Sequence, residues 1–285
     1  MQACVQILFN PDSGTYSPRR IETLRKALED AGATTTLTEN SRRSYASIDP
    51  AATHLCVAGG DGTLRHAIAA LRATRSSIPV AQYPAGTINL VAREAAYPRN
   101  PTEFVRRVLG NNASRHHYTA SFNDETFLTC ASIGPECRAI SGHSAKLKRL
   151  IGRSAYAVAF IRSLFQWQRP RLRVHIDGRE HACEAIYIAK GRYFAGPWSF
   201  APAARLTDDL LHVVMLENAR RRDFFNFTLD LVRGRRPEDR PGVIALACRH
   251  IEIVSQGNAE VQADGDIIGS LPAEIRVDTS PSPFA

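Results

Sequence analysis

The chain has 285 residues, of which 44% are hydrophobic, and its net charge is +8 at neutral pH. This length suits one or two domains with a sizeable core, and the composition excludes a largely disordered protein. No run approaches the roughly 20 apolar residues that span a bilayer, and the first six residues lead straight into a strand pattern rather than a signal peptide. We therefore expect a cytoplasmic protein, and six scattered cysteines without Cys-x-x-Cys spacing predict reduced thiols. The arginine excess suits a nucleotide or an anionic lipid; no nucleic-acid-binding signature accompanies it, so nucleic acid is not an expected partner.

The first predicted elements are a strand, a turn and a helix. Val5, Ile7 and Phe9 lie in an apolar run, and the polar turn of residues 10–14 follows it. Ser17 is a good helix N-cap and Pro18 suits the first helical turn, after which apolar residues recur at helical spacing up to Gly32. The β-branched run of residues 34–38 predicts a second strand.

A glycine-rich turn follows the third predicted strand, residues 54–58. The turn is Gly59-Gly60-Asp61-Gly62-Thr63, and a helix follows it. A strand, a glycine-rich turn and a helix together present backbone N–H groups to a phosphate. Because the Asp61 carboxylate would repel a phosphate, a nucleotide bound here should bring Mg²⁺. The alternative is a plain tight turn with Asp61 as the N-cap of the helix.

A second polar turn follows the fourth predicted strand, residues 79–83. It contains Gly86, Thr87 and Asn89. A further helix is predicted from Thr102 to Gly110. Strands alternating with helices predict a parallel α/β sheet, in which ligands bind at the carboxyl ends of the strands. All of these turns fall at that edge, which predicts one shared site.

From about residue 115 the pattern changes toward a period of two, with turns at hairpin spacing. This predicts an antiparallel β-sandwich. We therefore expect an α/β N-terminal domain over residues 1–114, with a C-terminal tail, residues 278–285, packing back on it, and a β-sandwich domain over residues 115–277. The active site is expected in the cleft between the domains.

Two arginine-rich segments of the second half have apolar residues at helical spacing. The first covers residues 146–167 and the second follows Asp223, with Phe224, Phe227 and Leu231 on one face. Each is either a basic amphipathic segment that rests on anionic lipid or an ordinary helix packed on the sandwich.

The three N-terminal turns resemble, in order, the motifs of the diacylglycerol kinase catalytic family, which includes sphingosine, ceramide and bacterial lipid kinases. The resemblance covers nearly the whole chain and implies an ATP- and Mg²⁺-dependent lipid kinase. The fold class it implies is an α/β domain of the NAD kinase/diacylglycerol kinase type plus an antiparallel sandwich. The implied nucleotide-binding residues are Asn10, Thr38, Gly59, Gly60, Asp61, Gly62, Thr63, Gly86, Thr87 and Asn89.

The resemblance also assigns roles in the second domain. Residues 132–136 resemble a Gly-x-Asp turn, with Glu136 in place of the usual Asp. A structural Mg²⁺ would be held by the Asp208 carboxylate and the backbone carbonyls of Arg205 and Leu210, although Asp209 and His212 depart from the family's residues.

A late Asp-Gly turn resembles the family's Asp-Gly-Glu motif. Asp266, in place of Glu, is the implied catalytic base and Asp264 lies beside it, with Asp61 as the third catalytic residue. The plain alternative is a hairpin turn, for which Asp-Gly is a common signal.

The expected function is transfer of the ATP γ-phosphate to the hydroxyl of a lipid alcohol such as diacylglycerol or a sphingoid base. The expected partner is this lipid at an anionic membrane surface, with the protein held peripherally at the inner face; a homodimer is left open. One alternative is an NAD kinase-like enzyme, which would share the Gly-Gly-Asp-Gly turn. The other is a non-catalytic binding protein, suggested by the departures at Leu90, Asp209, His212 and Asp266.

Overall fold

A computed structural model of the protein describes residues 2–40, 47–110, 115–137 and 166–285. They form two compact units, one of Met1–Tyr118 with Ser280–Ala285 and one of Thr119–Thr279. The first unit thus continues four residues past the division drawn from the sequence at residue 114. The segment 146–165, which contains most of the first arginine-rich stretch, lies outside the described residues.

The first unit is built on a six-stranded sheet. Its strands, numbered along the chain, are β1 (Cys4–Phe9), β2 (Thr34–Glu39), β3 (His54–Gly59), β4 (Val80–Pro84), β5 (Arg115–His117) and β18 (Ser282–Phe284). Their order across the sheet is β2-β1-β3-β4-β18-β5. The pairs among β1 to β4 are parallel, and β18 adds in parallel to β4 and antiparallel to β5. The parallel α/β domain predicted from strand–helix alternation is therefore confirmed.

Four helices connect or flank these strands in the described part of the first unit. They are α1 (Pro18–Asp30), α2 (Asp61–Ala73), α3 (Leu90–Glu94) and α4 (Pro101–Leu109). Ser17 caps α1 as predicted, since its side chain accepts a hydrogen bond from the Arg20 N–H. The apolar faces of α1 and α2, including Leu24, Leu28 and Leu64, are fully buried.

The second unit contains two antiparallel sheets of six strands each. One has the order β10-β9-β14-β17-β6-β7, with β6 (Ala120–Phe122), β7 (Glu125–Phe127), β9 (Leu172–Ile176), β10 (Arg179–Cys183), β14 (His250–Ser255) and β17 (Ala273–Val277). The other has the order β13-β12-β11-β8-β15-β16, with β8 (Cys130–Ile133), β11 (Ala185–Ala189), β12 (Leu211–Leu216), β13 (Val243–Cys248), β15 (Glu260–Ala263) and β16 (Asp266–Ser270). This is the predicted β-sandwich.

A fifth helix, α5 (Arg221–Arg233), packs on the second sheet of this unit. Phe224, Phe227 and Leu231 join Tyr187, Phe200 and other buried residues in one core cluster. These three residues therefore form the buried face of an ordinary helix packed on the sandwich, and not an apolar face left wholly for lipid.

None of the six cysteines, all of which lie among the described residues, forms a disulfide bond, in agreement with the predicted reduced thiols. Among the described residues, no helix has both the length and the apolar character that crossing a membrane requires.

Candidate active site

The first glycine-rich turn joins β3 to α2. Gly59 packs so closely on Thr63 that a Cβ at position 59 would lie 2.6 Å from the Thr63 Cβ. Gly60 is the N-cap of α2, so Asp61 is its first residue and not its cap. The Asn10 side chain, at the end of β1, donates from Nδ2 to Thr63 Oγ1 at 3.1 Å. The first and second predicted motifs are thus in direct contact.

The second turn joins β4 to α3 and presses against the first. A Cβ on Gly86 would lie 2.4 Å from the Gly60 Cα, so only glycine allows the two backbones to approach this closely. Asn89 has a left-handed backbone and is buried; its side chain accepts from the Gly86 N–H and donates to the Gly86 carbonyl, each at 2.8 Å. A Cβ on Gly14 would meet Thr87 Oγ1, so the first motif also touches this turn.

Asp61 ties the two turns together. Its carboxylate accepts hydrogen bonds from the Leu90 N–H at 2.8 Å and the Val91 N–H at 3.1 Å, and from Gln82 Nε2 at 3.3 Å. Leu90 and Val91 are the first residues of α3, where backbone N–H groups lack intrahelical partners. The alternative of Asp61 as the N-cap of the helix that follows it is therefore wrong, because Gly60 holds that position and the Asp61 carboxylate instead binds the first N–H groups of α3.

Two further polar residues at this edge were not identified from the sequence. Gln82 is fully buried in β4 and reaches Asp61. Asn40 follows β2 and donates from Nδ2 to the Thr63 carbonyl at 3.4 Å. Each is a polar residue in or just after a predicted strand, and this position is the feature of the sequence that could have identified it. The predicted Thr38 lies on β2, where its hydroxyl accepts from Gln6 Nε2 of β1 at 3.1 Å.

The late Asp-Gly turn of the second unit is a two-residue hairpin between β15 and β16. Asp264 and Gly265 both have positive φ, as a type I′ turn requires. The Asp264 carboxylate accepts from the backbone N–H groups of Leu128 (2.7 Å) and Thr129 (2.9 Å), and from Thr129 Oγ1 (2.6 Å). Asp264 therefore clamps the hairpin onto the start of β8.

Asp266 occupies the first position of β16 and is partly exposed. Its backbone pairs with Ala263 across the turn. The clamp on Asp264 thus fixes the hairpin from which the Asp266 side chain extends, and the two carboxylates have different environments.

A buried polar chain supports the same hairpin. Gln262 accepts from the Gly265 N–H at 3.1 Å and donates to Ser132 Oγ at 2.8 Å, and Ser132 donates to Glu136 at 2.5 Å. Tyr187 also donates to Glu136, at 3.1 Å. Burial raises the pKa of the Glu136 carboxyl, and the hydrogen bonds from Ser132 and Tyr187 oppose this rise.

The predicted metal ligands lie in the turn before β12, with Asp208 and Leu210 partly buried and Arg205 exposed. The Arg205 carbonyl accepts from the Lys190 ammonium at 2.9 Å and from the Asp208 N–H at 3.2 Å. No group of three or more acidic, histidine or cysteine side chains suited to a metal occurs among the described residues. A divalent ion that needs the Arg205 oxygen therefore fits this turn poorly.

Glycine turns at the carboxyl edge of a parallel sheet are suited to binding phosphate groups, and here they occur in a chain that also has an antiparallel sandwich. Two family models match it: the diacylglycerol kinase catalytic domain over residues 5–120, and the YegS C-terminal NAD kinase beta sandwich-like domain over residues 130–282. The second alone covers more than half of the chain. By that match the chain belongs to the family with the YegS C-terminal NAD kinase beta sandwich-like domain, and with the diacylglycerol kinase catalytic domain that precedes it the chain is a lipid kinase of the diacylglycerol kinase type.

Whole-chain relatives agree with the family. The chain is 24% identical to a diacylglycerol kinase of Staphylococcus haemolyticus (strain JCSC1435), over 96% of this chain and 85% of the relative. It is 25% identical to a diacylglycerol kinase of Staphylococcus carnosus (strain TM300), over 96% and 92%. A crystal structure of a diacylglycerol kinase from Bacillus anthracis str. Sterne has a TM-score of 0.71 at 16% identity, over 98% of this chain and 95% of that one. This last likeness supports the fold alone.

Proposed function

We propose that the protein transfers the γ-phosphate of ATP to the hydroxyl of a lipid alcohol such as diacylglycerol or a sphingoid base. Family membership implies ATP as the donor. The observation that carries the proposal is the contact of three polar turns at one sheet edge, through Asn10 with Thr63 and Gly60 with Gly86.

The phosphates of ATP are proposed to bind at these turns. The first N–H groups of α2 lack intrahelical partners, and the glycines let the turns pack so closely that these N–H groups lie beside the second turn. Thr63 and Thr87 add hydroxyl groups there. Mg²⁺ is proposed to enter with ATP as its complex, where it neutralises phosphate charge next to Asp61. The contribution of Asp61 itself is to hold the two turns in register through α3.

Asp266 is proposed to accept the proton of the lipid hydroxyl. In the reaction, the hydroxyl oxygen bonds to the γ-phosphorus while the bond to the leaving ADP oxygen breaks, and the proton passes to the Asp266 carboxylate. Asp264 is assigned a positioning role, because its carboxylate accepts from the backbone N–H groups of Leu128, Thr129 and Cys130 and from the Thr129 hydroxyl. Of the predicted pair of acidic residues, Asp266 is thus proposed as the catalytic base and Asp264 as the residue that positions the hairpin.

Separate effects on stability and activity test this division. Asp266→Asn should retain the wild-type Tm and lower kcat by about 10²- to 10⁴-fold, the usual contribution of a general base. Asp264→Asn should lower the free energy of unfolding by about 2 to 3 kcal/mol, because the new amide group faces backbone donors. The measurements are labelled-phosphate transfer to diacylglycerol in mixed micelles and thermal unfolding. Full activity of Asp266→Asn would refute the base role.

The exposed side of α5 is proposed to rest on an anionic membrane. Phe225 and Val232, seven residues apart and hence on one helical face, are 64% and 54% exposed. Five exposed arginines surround them in sequence: Arg221, Arg222, Arg233, Arg235 and Arg236. Apolar side chains among cations match a surface of acyl chains and anionic headgroups, at about 1 kcal/mol for each arginine near the surface.

Vesicle sedimentation tests this surface. Phe225→Asp should reduce binding to phosphatidylglycerol vesicles at least several-fold and leave transfer to diacylglycerol in detergent micelles within about twofold of the wild type, because Phe225 lies outside the core. The matched control is Leu37→Asp, which changes an exposed apolar residue of the first unit that is 45% exposed. Equal losses in the two variants would contradict the assignment to α5.

A further inference from the structure

We infer that the ammonium group of Lys190 serves as the internal cation of the turn before β12, so that this chain holds residues 205–210 without a divalent metal. Lys190 directly follows β11, and its side chain is fully buried. The inference concerns the architecture of the second unit, and it does not depend on which alcohol the enzyme phosphorylates.

The ammonium binds one of the two backbone oxygens that the predicted metal would need, together with a neighbouring carbonyl. Lys190 Nζ donates to the Arg205 carbonyl at 2.9 Å and to the Leu206 carbonyl at 3.2 Å. The Arg205 oxygen also accepts from the Asp208 N–H at 3.2 Å, so both of its lone-pair directions are used. The carbonyl expected to bind Mg²⁺ is therefore engaged by this chain's own donors.

Charge repulsion prevents Mg²⁺ and the Lys190 ammonium from binding the Arg205 carbonyl oxygen at the same time. Mg²⁺ lies about 2.1 Å from an oxygen ligand, so an ion on the Arg205 carbonyl would lie within about 5 Å of the Lys190 nitrogen. An ammonium that near in a buried setting repels the ion strongly. Few carboxylates are available to bind a divalent cation here. His212 stands where the resemblance expects a second aspartate, and Asp209 is paired with Arg249 at 2.7 Å. One carboxylate, Asp208, then remains for a divalent cation.

The backbone of Lys190 connects this turn to the Asp264 clamp. The N–H groups of Lys190 and Gly191 donate to the Thr129 carbonyl at 2.8 Å and 2.9 Å. Thr129 in turn donates to Asp264 through its own N–H and hydroxyl. Lys190 is thus a positioning residue that joins the 205–210 turn to the hairpin of Asp264.

Thermal unfolding of the nucleotide-free protein tests the inference. The wild type should have the same Tm in EDTA, Mg²⁺, Ca²⁺ and Mn²⁺. Lys190→Met should have a lower Tm in all four conditions, because two buried carbonyls lose their donor and no metal replaces it. The control Lys26→Gln, which changes an exposed lysine of α1, should match the wild type. A Lys190→Met variant with the wild-type Tm would overturn the inference.

Direct metal binding gives a second readout that needs no unfolding. Electron paramagnetic resonance measures the Mn²⁺ bound to the nucleotide-free protein. The wild type and Asp208→Asn should bind the same amount, because no ion is expected to depend on the Asp208 carboxylate. A bound Mn²⁺ that this variant abolishes would overturn the inference. Neither readout measures turnover, so the inference can fail while the proposed kinase function stands, and the reverse.

Discussion

Gly86→Ala should push apart the two turns that are proposed to bind the phosphates of ATP. The new Cβ would lie 2.4 Å from the Gly60 Cα and 2.6 Å from Asn89 Oδ1. Carbon atoms need about 3.5 Å, so the backbones must move apart by about 1 Å. No flexible side chain can yield instead, because Gly60 contributes backbone and Asn89 is held by two hydrogen bonds to Gly86.

The expected losses follow from that displacement. Overpacking of this kind lowers the free energy of unfolding by about 1 to 3 kcal/mol. A shift of about 1 Å at a reacting centre costs about 10²-fold, so kcat/KM for ATP should fall by that factor. The assay is phosphate transfer at varied ATP concentration, with denaturant unfolding in parallel.

A glycine with open space is the matched control. A Cβ added to Gly257 would have no heavy atom within 4 Å, so Gly257→Ala should match the wild type in both measurements. If Gly86→Ala retained wild-type kcat/KM and stability, the close contact of the two turns would have no part in nucleotide binding, and the assignment of the phosphate site to these turns would be wrong.

Two predictions concern buried charge in the second unit. Because burial raises the pKa of Glu136, its contribution to stability is present at low pH and is lost as the pH rises from the unfolded-state value through the folded-state value. The unfolding free energy of the wild type should therefore fall relative to Glu136→Gln as the pH rises above about 4.5, by up to about 1.4 kcal/mol per pH unit, and a constant difference in urea titrations would contradict this. Arg240→Met should lower the unfolding free energy by about 3 kcal/mol, because it strands the buried Asp230 carboxylate, which lies 2.7 Å from Arg240. The exposed Arg249–Asp209 pair is the control: Arg249→Met should cost less than about 1 kcal/mol, and equal losses would refute the distinction.

Local patterns in the sequence were sufficient for much of the fold. Strands alternating with helices predicted the parallel sheet, alternating apolar residues with turn signals predicted the sandwich, and Ser17 with Pro18 predicted the start of α1. Short strands were harder: β16 and β18 have weak patterns, since Asp266–Ser270 contains a glycine and Ser282–Phe284 contains a proline. Their strand conformation depends on pairing with distant strands, which no local pattern contains.

The same limit applies to the site. The glycine turns could be identified because their composition restricts the backbone, whereas the partners of Asp61 could not. Its carboxylate binds Leu90 and Val91, about 30 positions away, and those contacts depend on the order of β3 and β4 in the sheet. The ammonium of Lys190 was missed for a related reason, since a charge after an apolar strand gives no indication that it turns inward to two carbonyls.

Acceptor choice is the most direct test of the proposed function. One reaction would contain ATP labelled in the γ-phosphate, Mg²⁺, diacylglycerol in mixed micelles and NAD at equal concentration. We expect that the label appears in a lipid phosphate, that NAD stays unlabelled, and that Asp266→Asn abolishes the lipid product. Label in NAD would identify a soluble-nucleotide kinase instead, and ATP binding without any labelled product from a full panel of lipid alcohols would contradict catalysis by this chain.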